Sequence, residues 1–184
     1  VVPSAPGKRS SKDDKVTDLL YACYDAASSG GSYKKIFSAI TERYEQIIEG
    51  LSLNVNLDYE FKTIEENFLA GKGRDYAASR GEYLNGILMA AYLGYEFIDA
   101  AEVVLFDENG VFLPEKTNAE LSARLAKSPR AVIPGFYGSM PDGTVKTFSR
   151  GGSDITGSIV ARAVHADLYE NWTDVSGFLV TDPR

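Results

Sequence analysis

The run Ser149-Arg150-Gly151-Gly152-Ser153-Asp154 is the part of the sequence best suited to chemistry. Two glycines let the backbone approach a ligand closely, and a helix predicted over 155–166 would expose unpaired amides and a positive dipole end. Arg150 adds a fixed charge, so the run suits an anion. An ordinary N-cap at Ser153 or Asp154 explains the same residues, and the residues alone leave both readings open. A second cluster, Trp172-Thr173-Asp174-Val175-Ser176-Gly177, follows a predicted strand over 168–172. Open α/β sheets gather ligands beyond the carboxyl ends of their strands, although a turn held by Thr173 and Asp174 is the plainer account. Ser79-Arg80-Gly81-Glu82-Tyr83-Leu84-Asn85-Gly86 interrupts an apolar helix with a charge pair and two glycines, at a cost in helix stability. Either Glu82 orients a ligand, or the glycines mark close helix packing with Arg80 and Glu82 in solvent. Ser4-Ala5-Pro6-Gly7-Lys8, with Thr17 beyond it, is a similar loop-to-helix anion candidate.

Other chemistries find little support. The only histidine is His165 and the only cysteine Cys23, so the sequence carries no zinc cluster and no internal disulfide. His165 reads as a helix-end residue and Cys23 as core, and no metal ligands are assigned. Gly-x-x-x-x-Gly-Lys-[Ser/Thr], Gly-x-Gly-x-x-Gly and Gly-x-Ser-x-Gly are all missing from the sequence. Nineteen Lys and Arg against 26 Asp and Glu give a net charge of -7, which offers a phosphate backbone no long-range attraction, so no nucleic-acid partner is expected. No apolar run reaches the roughly 18 residues of a membrane span, and the expected setting is the cytoplasm without a membrane partner.

These segments need a scaffold. With 184 residues, 44% of them hydrophobic, the chain can build one sizeable core. Residues 1–3 read as the end of a buried strand and 4–15 as a surface loop. Helices follow from about residue 17, through a stripe of Ile36, Phe37, Ile40, Tyr44, Ile47, Ile48 and Leu51, then over 57–69 and 75–93. Beyond residue 95 short strands (96–98, 103–106, 130–134) alternate with helices, a short one near Leu121 and Leu125 among them, and 137–147 reads as a hairpin or loop. That order predicts an α/β fold with a mostly parallel, covered sheet in one domain, 1–184, incomplete at both ends.

Taken in order, Val2-Pro3-Ser4-Ala5-Pro6-Gly7-Lys8, Lys15-Val16-Thr17-Asp18-Leu19-Leu20, Ser79-Arg80-Gly81-Glu82, Pro134-Gly135-Phe136-Tyr137-Gly138, Arg150-Gly151-Gly152-Ser153-Asp154 and Thr173-Asp174-Val175-Ser176-Gly177 through Asp182-Pro183-Arg184 resemble the aspartokinases of the amino-acid kinase family. The resemblance covers essentially the whole chain. It implies an αβα sandwich, part of a catalytic domain that transfers the γ-phosphoryl of ATP, with Mg2+, to the β-carboxylate of L-aspartate. The product would be 4-phospho-L-aspartate, the opening step toward lysine, threonine and methionine.

By that resemblance Ser4, Arg150 and Asp154 are catalytic, Ser4 lying near the transferring phosphoryl. Thr17, Glu82, Arg150, Ser153 and Asp154 would surround aspartate, with Arg150 on a carboxylate and Glu82 on the amino group. Thr173, Asp174, Leu179, Asp182 and Arg184 would belong to the nucleotide site, Leu179 standing where many relatives carry tyrosine. A carboxylate nucleophile is already ionised, so no histidine base is needed. The family's Lys-Phe-Gly-Gly-Ser loop and its regulatory ACT domains have no counterpart here, which implies weak turnover by this stretch alone and a homo-oligomer in the parent protein. Kinases of glutamate, acetylglutamate or UMP, and a non-catalytic aspartate-binding module, are the competing readings.

Overall fold

The computed structural model describes residues 1–149 and 152–172. Four helices come first: α1 Val16–Ser28, α2 Lys34–Gly50, α3 Asp58–Leu69 and α4 Arg74–Leu93. The first three each bury one stripe at helical spacing. Val16, Leu20, Cys23 and Ala27 form it on α1, Ile40 and Tyr44 on α2, and Phe61, Ile64 and Phe68 on α3. α4 is different, with ten of its 20 residues buried, because α1, α2 and α3 pack on it from one side and the sheet from the other. Gly94 ends it in the left-handed conformation, with φ 65°.

β1 Glu96–Phe97 and β2 Ala131–Val132 pair in parallel, Glu96 opposite Ala131. Residues 1–3 extend this sheet on the far side of β2. The Val1 nitrogen donates to the Ala131 carbonyl (2.8 Å), and the amides of Ile133 and Gly135 donate to the carbonyls of Val1 (3.0 Å) and Pro3 (3.1 Å). Such staggered bonds are those of a parallel ladder.

After the short helix α5 Ala100–Val103, Leu105 bridges in parallel to Ser139 of β3 Tyr137–Ser139, which pairs antiparallel with β4 Val145–Thr147. α6 Pro114–Lys127 and α7 Gly152–Ala163 complete the described elements. Side chains alternate across a strand. Phe97 and Pro134 therefore lie against Gly86 of α4, while Ile98, Ala131 and Ile133 join a second core with Leu121 of α6 and Ala163 of α7. Helices on both faces of a central parallel sheet make the αβα sandwich that the sequence leads one to expect.

Three details differ from the sequence pattern. Val103 closes α5 rather than opening a strand, α6 is a full 14 residues, and 168–172 is not a strand. The apolar residues Leu168, Tyr169 and Trp172 do not alternate, so they cannot serve one sheet face. Instead Tyr169 packs on Gly157 of α7, and Trp172 is 88% exposed. Residues 1–3 lie along the β2 ladder, with Pro3 buried and Val1 57% exposed.

Gly138 is where β3 meets residue 104. A Cβ there would stand 2.1 Å from the Val104 carbonyl oxygen, a backbone atom that cannot rotate away. Gly138→Ala is expected to cost about 3 kcal/mol or more in urea denaturation. Gly7→Ala, with nothing within 4 Å of the new methyl, should stay within about 0.5 kcal/mol of the parent.

Candidate functional site

A cleft of about 820 Å³ opens where the chain leaves the 1–3 edge and runs between α4 and α7. Its walls include Ser4 and Gly7 from the loop, Asn85 and Met89 from α4, Ser153, Asp154 and Gly157 from α7, and the exposed Trp172. It lies beyond the carboxyl end of the 1–3 strand, where α/β sheets place their ligands.

The start of α7 is wedged into position by the turn that follows β2. A Cβ on Gly135 would lie 2.7 Å from the Ser153 Cα, and one on Gly152 would lie 2.3 Å from the Phe136 ring. Between these contacts Phe136 is held at φ 82°, a region that side chains seldom adopt. Its amide donates to the Thr156 hydroxyl (3.1 Å), which in turn donates to the Gly152 carbonyl (2.8 Å). Ser153 and Asp154 thus occupy the first turn inside the helix, not its cap. Ser153 is half-buried, while Asp154 is exposed and accepts from the Asn171 side chain (3.2 Å).

On the opposite wall Gly81 lets the loop touch α4, since a Cβ there would lie 2.9 Å from that of Ala5. Glu82, next along, is only 7% exposed, and its Oε2 has no hydrogen-bond partner among the described residues. Burial pushes its carboxyl from 4.5 up to about 7, against the pull of the Glu82 and Ala5 backbone amides and the Arg80 charge. The glycines do mark close packing, but the two charges are not in solvent.

Arg80, 5% exposed, lies among three tyrosine rings, its guanidinium carbon 4.5 Å from the Tyr76 centroid, 4.3 Å from Tyr83 and 5.3 Å from Tyr137. The Ser79 hydroxyl accepts from its Nε (3.1 Å) and Nη2 (3.0 Å).

Of the residues singled out from sequence, Ser4, Ser153 and Asp154 therefore share the cleft, and Glu82 lies behind Ala5. Thr17 is half-buried in the first turn of α1, beside Val16, which packs near Gly81, and it does not line the cleft. Arg150, Thr173, Asp174, Leu179, Asp182 and Arg184 lie outside the described residues. His165 sits just past α7 with φ 49°, and burial pushes the Cys23 thiol up to about 11, far from nucleophilic.

Sequence reasoning missed Asn85, whose Nδ2 donates to the Ser4 carbonyl (2.7 Å), and Arg43 of α2. A signal existed for the second. Arg43 follows Ile40 by three residues, a charge on the buried stripe.

A parallel sheet between helix layers, with a loop and a helix N-terminus converging at its carboxyl edge, is the architecture of the family whose sequence pattern matches residues 15–184: the chain belongs to the amino acid kinase family. Within that family its relatives are aspartokinases. It is 39% identical to aspartokinase 3 of Bacillus subtilis, over 100% of this chain and 43% of that protein, and 29% identical to the lysine-sensitive aspartokinase 3 of Escherichia coli, over 92% and 42%. Among solved structures it superposes on the Clostridium acetobutylicum aspartate kinase with a TM-score of 0.92 at 52% identity, covering 99% of this chain and 42% of that one. Aspartokinase III of E. coli in complex with aspartate and ADP gives a TM-score of 0.75 at 25% identity, covering 96% and 42%. The chain spans less than half the length of these relatives.

Among the described residues no helix is long and apolar enough to cross a membrane.

The raised Glu82 carboxyl has a thermodynamic consequence. Between about pH 4.5 and 7 the folded chain holds a proton that the unfolded chain has lost, so this group's contribution to stability falls as pH rises through that window and levels off above it. Glu82→Gln is neutral at every pH. Its stability relative to the parent should improve by roughly 3 kcal/mol between pH 4 and pH 8 in urea denaturation, whereas parallel profiles would show that Glu82 is not buried as described.

Proposed function

We propose that the chain forms the amino-acid-binding part of an aspartokinase, which transfers the γ-phosphoryl of ATP to the β-carboxylate of L-aspartate. The observation that carries this reading is the buried carboxylate of Glu82 beside a loop and a helix start that share one cleft with Ser4, Ser153 and Asp154. An amino acid presents one ammonium and two carboxylates. The orphaned Oε2 of Glu82 suits the ammonium, and the start of α7, together with the guanidinium of Arg150, suits the carboxylates. Similarity to aspartokinases, one of them solved with aspartate and ADP, supports the same substrate pair.

In the proposed reaction a β-carboxylate oxygen, ionised at neutral pH, attacks the γ-phosphorus. An O–P bond forms, the bond to the β,γ-bridging oxygen breaks, and ADP leaves with that electron pair. No proton need be removed, so the protein's work is positioning and charge balance. Glu82 and Arg150 fix the two ends of the amino acid, Ser4 hydrogen-bonds the moving phosphoryl, and Ser153 and Asp154 complete the amino-acid site, with Thr17 behind the loop at the start of α1. Thr173, Asp174, Leu179, Asp182 and Arg184 form the nucleotide side.

Magnesium favours hard oxygen ligands and keeps much of its water. The Asp154 and Glu170 carboxylates line the cleft, and the ion would enter with the nucleotide, held largely by phosphates and water, and neutralise its charge. A homo-oligomeric enzyme working in the cytoplasm completes the proposal.

Two measurements test it. L-aspartate at one hundred times its Kd should stabilise the protein by about 2.7 kcal/mol in a thermal-shift titration, with L-glutamate inert and the response lost in Arg150→Ala; an equal response to glutamate would rule out the substrate assignment. Binding of the ammonium to Glu82 should also expel its proton. Calorimetry at pH 7 in two buffers of different ionisation enthalpy should therefore show release of about half a proton per aspartate, and none in Glu82→Gln.

A further inference from the structure

Arg43 carries a buried charge that the chemistry above does not use. It lies on α2, 2% exposed, and its guanidinium reaches three acceptors of a single loop. Nη1 donates to the Gly7 carbonyl (2.8 Å), while Nη2 donates to the Asp13 carboxylate and to the Asp14 carbonyl (3.3 Å). Asp13 also accepts from the Arg9 amide (2.9 Å) and Nε (3.1 Å), and Arg9 Nη1 reaches back to Gln46 of α2 (2.7 Å). The hydrogen bonds from Arg9, with the Arg43 charge behind them, hold the Asp13 carboxyl far below the usual range, so it stays ionised.

The same stretch of α2 also holds the helix on which the loop rests. Tyr44, adjacent to Arg43, donates to the Gly81 carbonyl (2.8 Å), one residue before Glu82. Asn85 of α4 ties down the near end of the loop at the Ser4 carbonyl (2.7 Å). The loop is therefore fastened at Ser4 by α4 and at Gly7, Asp13 and Asp14 by Arg43, and Ala5 is pressed on Gly81 between these ties.

We propose that Arg43 is a positioning residue for the amino-acid substrate: by clamping Gly7, Asp13 and Asp14 it keeps Ser4 at the cleft and Ala5 closed over Glu82. The inference rests on the reading of Glu82 as the ammonium site. A guanidinium suits the task because its planar fork serves three acceptors at once, whereas the ammonium of a lysine is a point charge on a flexible stem. With the clamp released, the loop must be ordered anew each time substrate binds, and that entropy is taken from substrate affinity.

The test uses the natural full-length polypeptide carrying Arg43→Lys, with Asp13→Asn as a milder variant that keeps the Gly7 and Asp14 acceptors. For Arg43→Lys the expected result is an aspartate KM raised about tenfold, with the ATP KM and the kcat at saturating aspartate within about twofold of the parent. Asp13→Asn should raise the aspartate KM about threefold. Amide hydrogen exchange should quicken over 4–14 while α4 keeps its protection. A folded Arg43→Lys protein with an unchanged aspartate KM overturns the proposal. So does one in which both KM values and the melting temperature shift together, which is the mark of a purely structural role. If the parent does not phosphorylate aspartate, the functional reading fails instead; the exchange over 4–14 then decides the clamp alone, and unchanged exchange overturns it.

Discussion

Burial of helix α4 on nearly every side is the constraint from which the rest of the structure follows. A helix between a layer of helices and a sheet has no solvent face on which to park charge. Where α1, the N-terminal loop and the sheet approach it, only glycine fits, as at Gly81 against Ala5 and Gly86 against Pro134 and Phe97. Where it carries charge, the charge must be answered. Arg80 is answered by three tyrosine rings and a serine, whereas Glu82 keeps an orphaned oxygen. A buried carboxylate without a full set of partners destabilises the fold.

The two walls of the cleft are built by different physics. On the α4 side, Glu82 provides an electrostatic demand enforced by desolvation. On the α7 side, the placement is steric: Gly135, Phe136 and Gly152 interlock so closely that Phe136 takes a backbone conformation unusual for its type, and Thr156 secures it. Such a conformation persists only where the surrounding packing over-determines it, so the start of α7 is held from both sides.

Much of this was legible in the sequence, and the failures are informative. Periodicity locates α1, α2 and α3 because each buries one stripe of regular spacing, and α4 follows them although it is buried on more than one side. Residues 168–172 were misread because a cluster of apolar residues was taken for a strand without alternation, and the segment instead lies over α7. The Ser79 to Gly86 segment is unusual in the sequence for a reason the structure makes plain: its glycines mark close packing, and Arg80 and Glu82 are buried with them rather than in solvent. Arg43 and Asn85 escaped notice for a common reason. Each ties down a backbone carbonyl, 36 and 81 residues away, and a carbonyl leaves no trace in residue type; only the place of Arg43 on the buried stripe of α2 marks it in the sequence.

The edge ladder between residues 1–3 and the strand after residue 130 has a kinetic meaning. Its partners are separated by 130 positions, so residues 1–3 leave the ribosome well before the strand they pair with. At typical synthesis rates they wait on the order of ten seconds for their neighbour to emerge, while the helices that follow them can already associate locally. Ser4 and Ala5 hang directly on that late-closing strand, so one wall of the cleft cannot exist in any early intermediate. That wall would form abruptly, at the moment of edge closure, rather than by degrees.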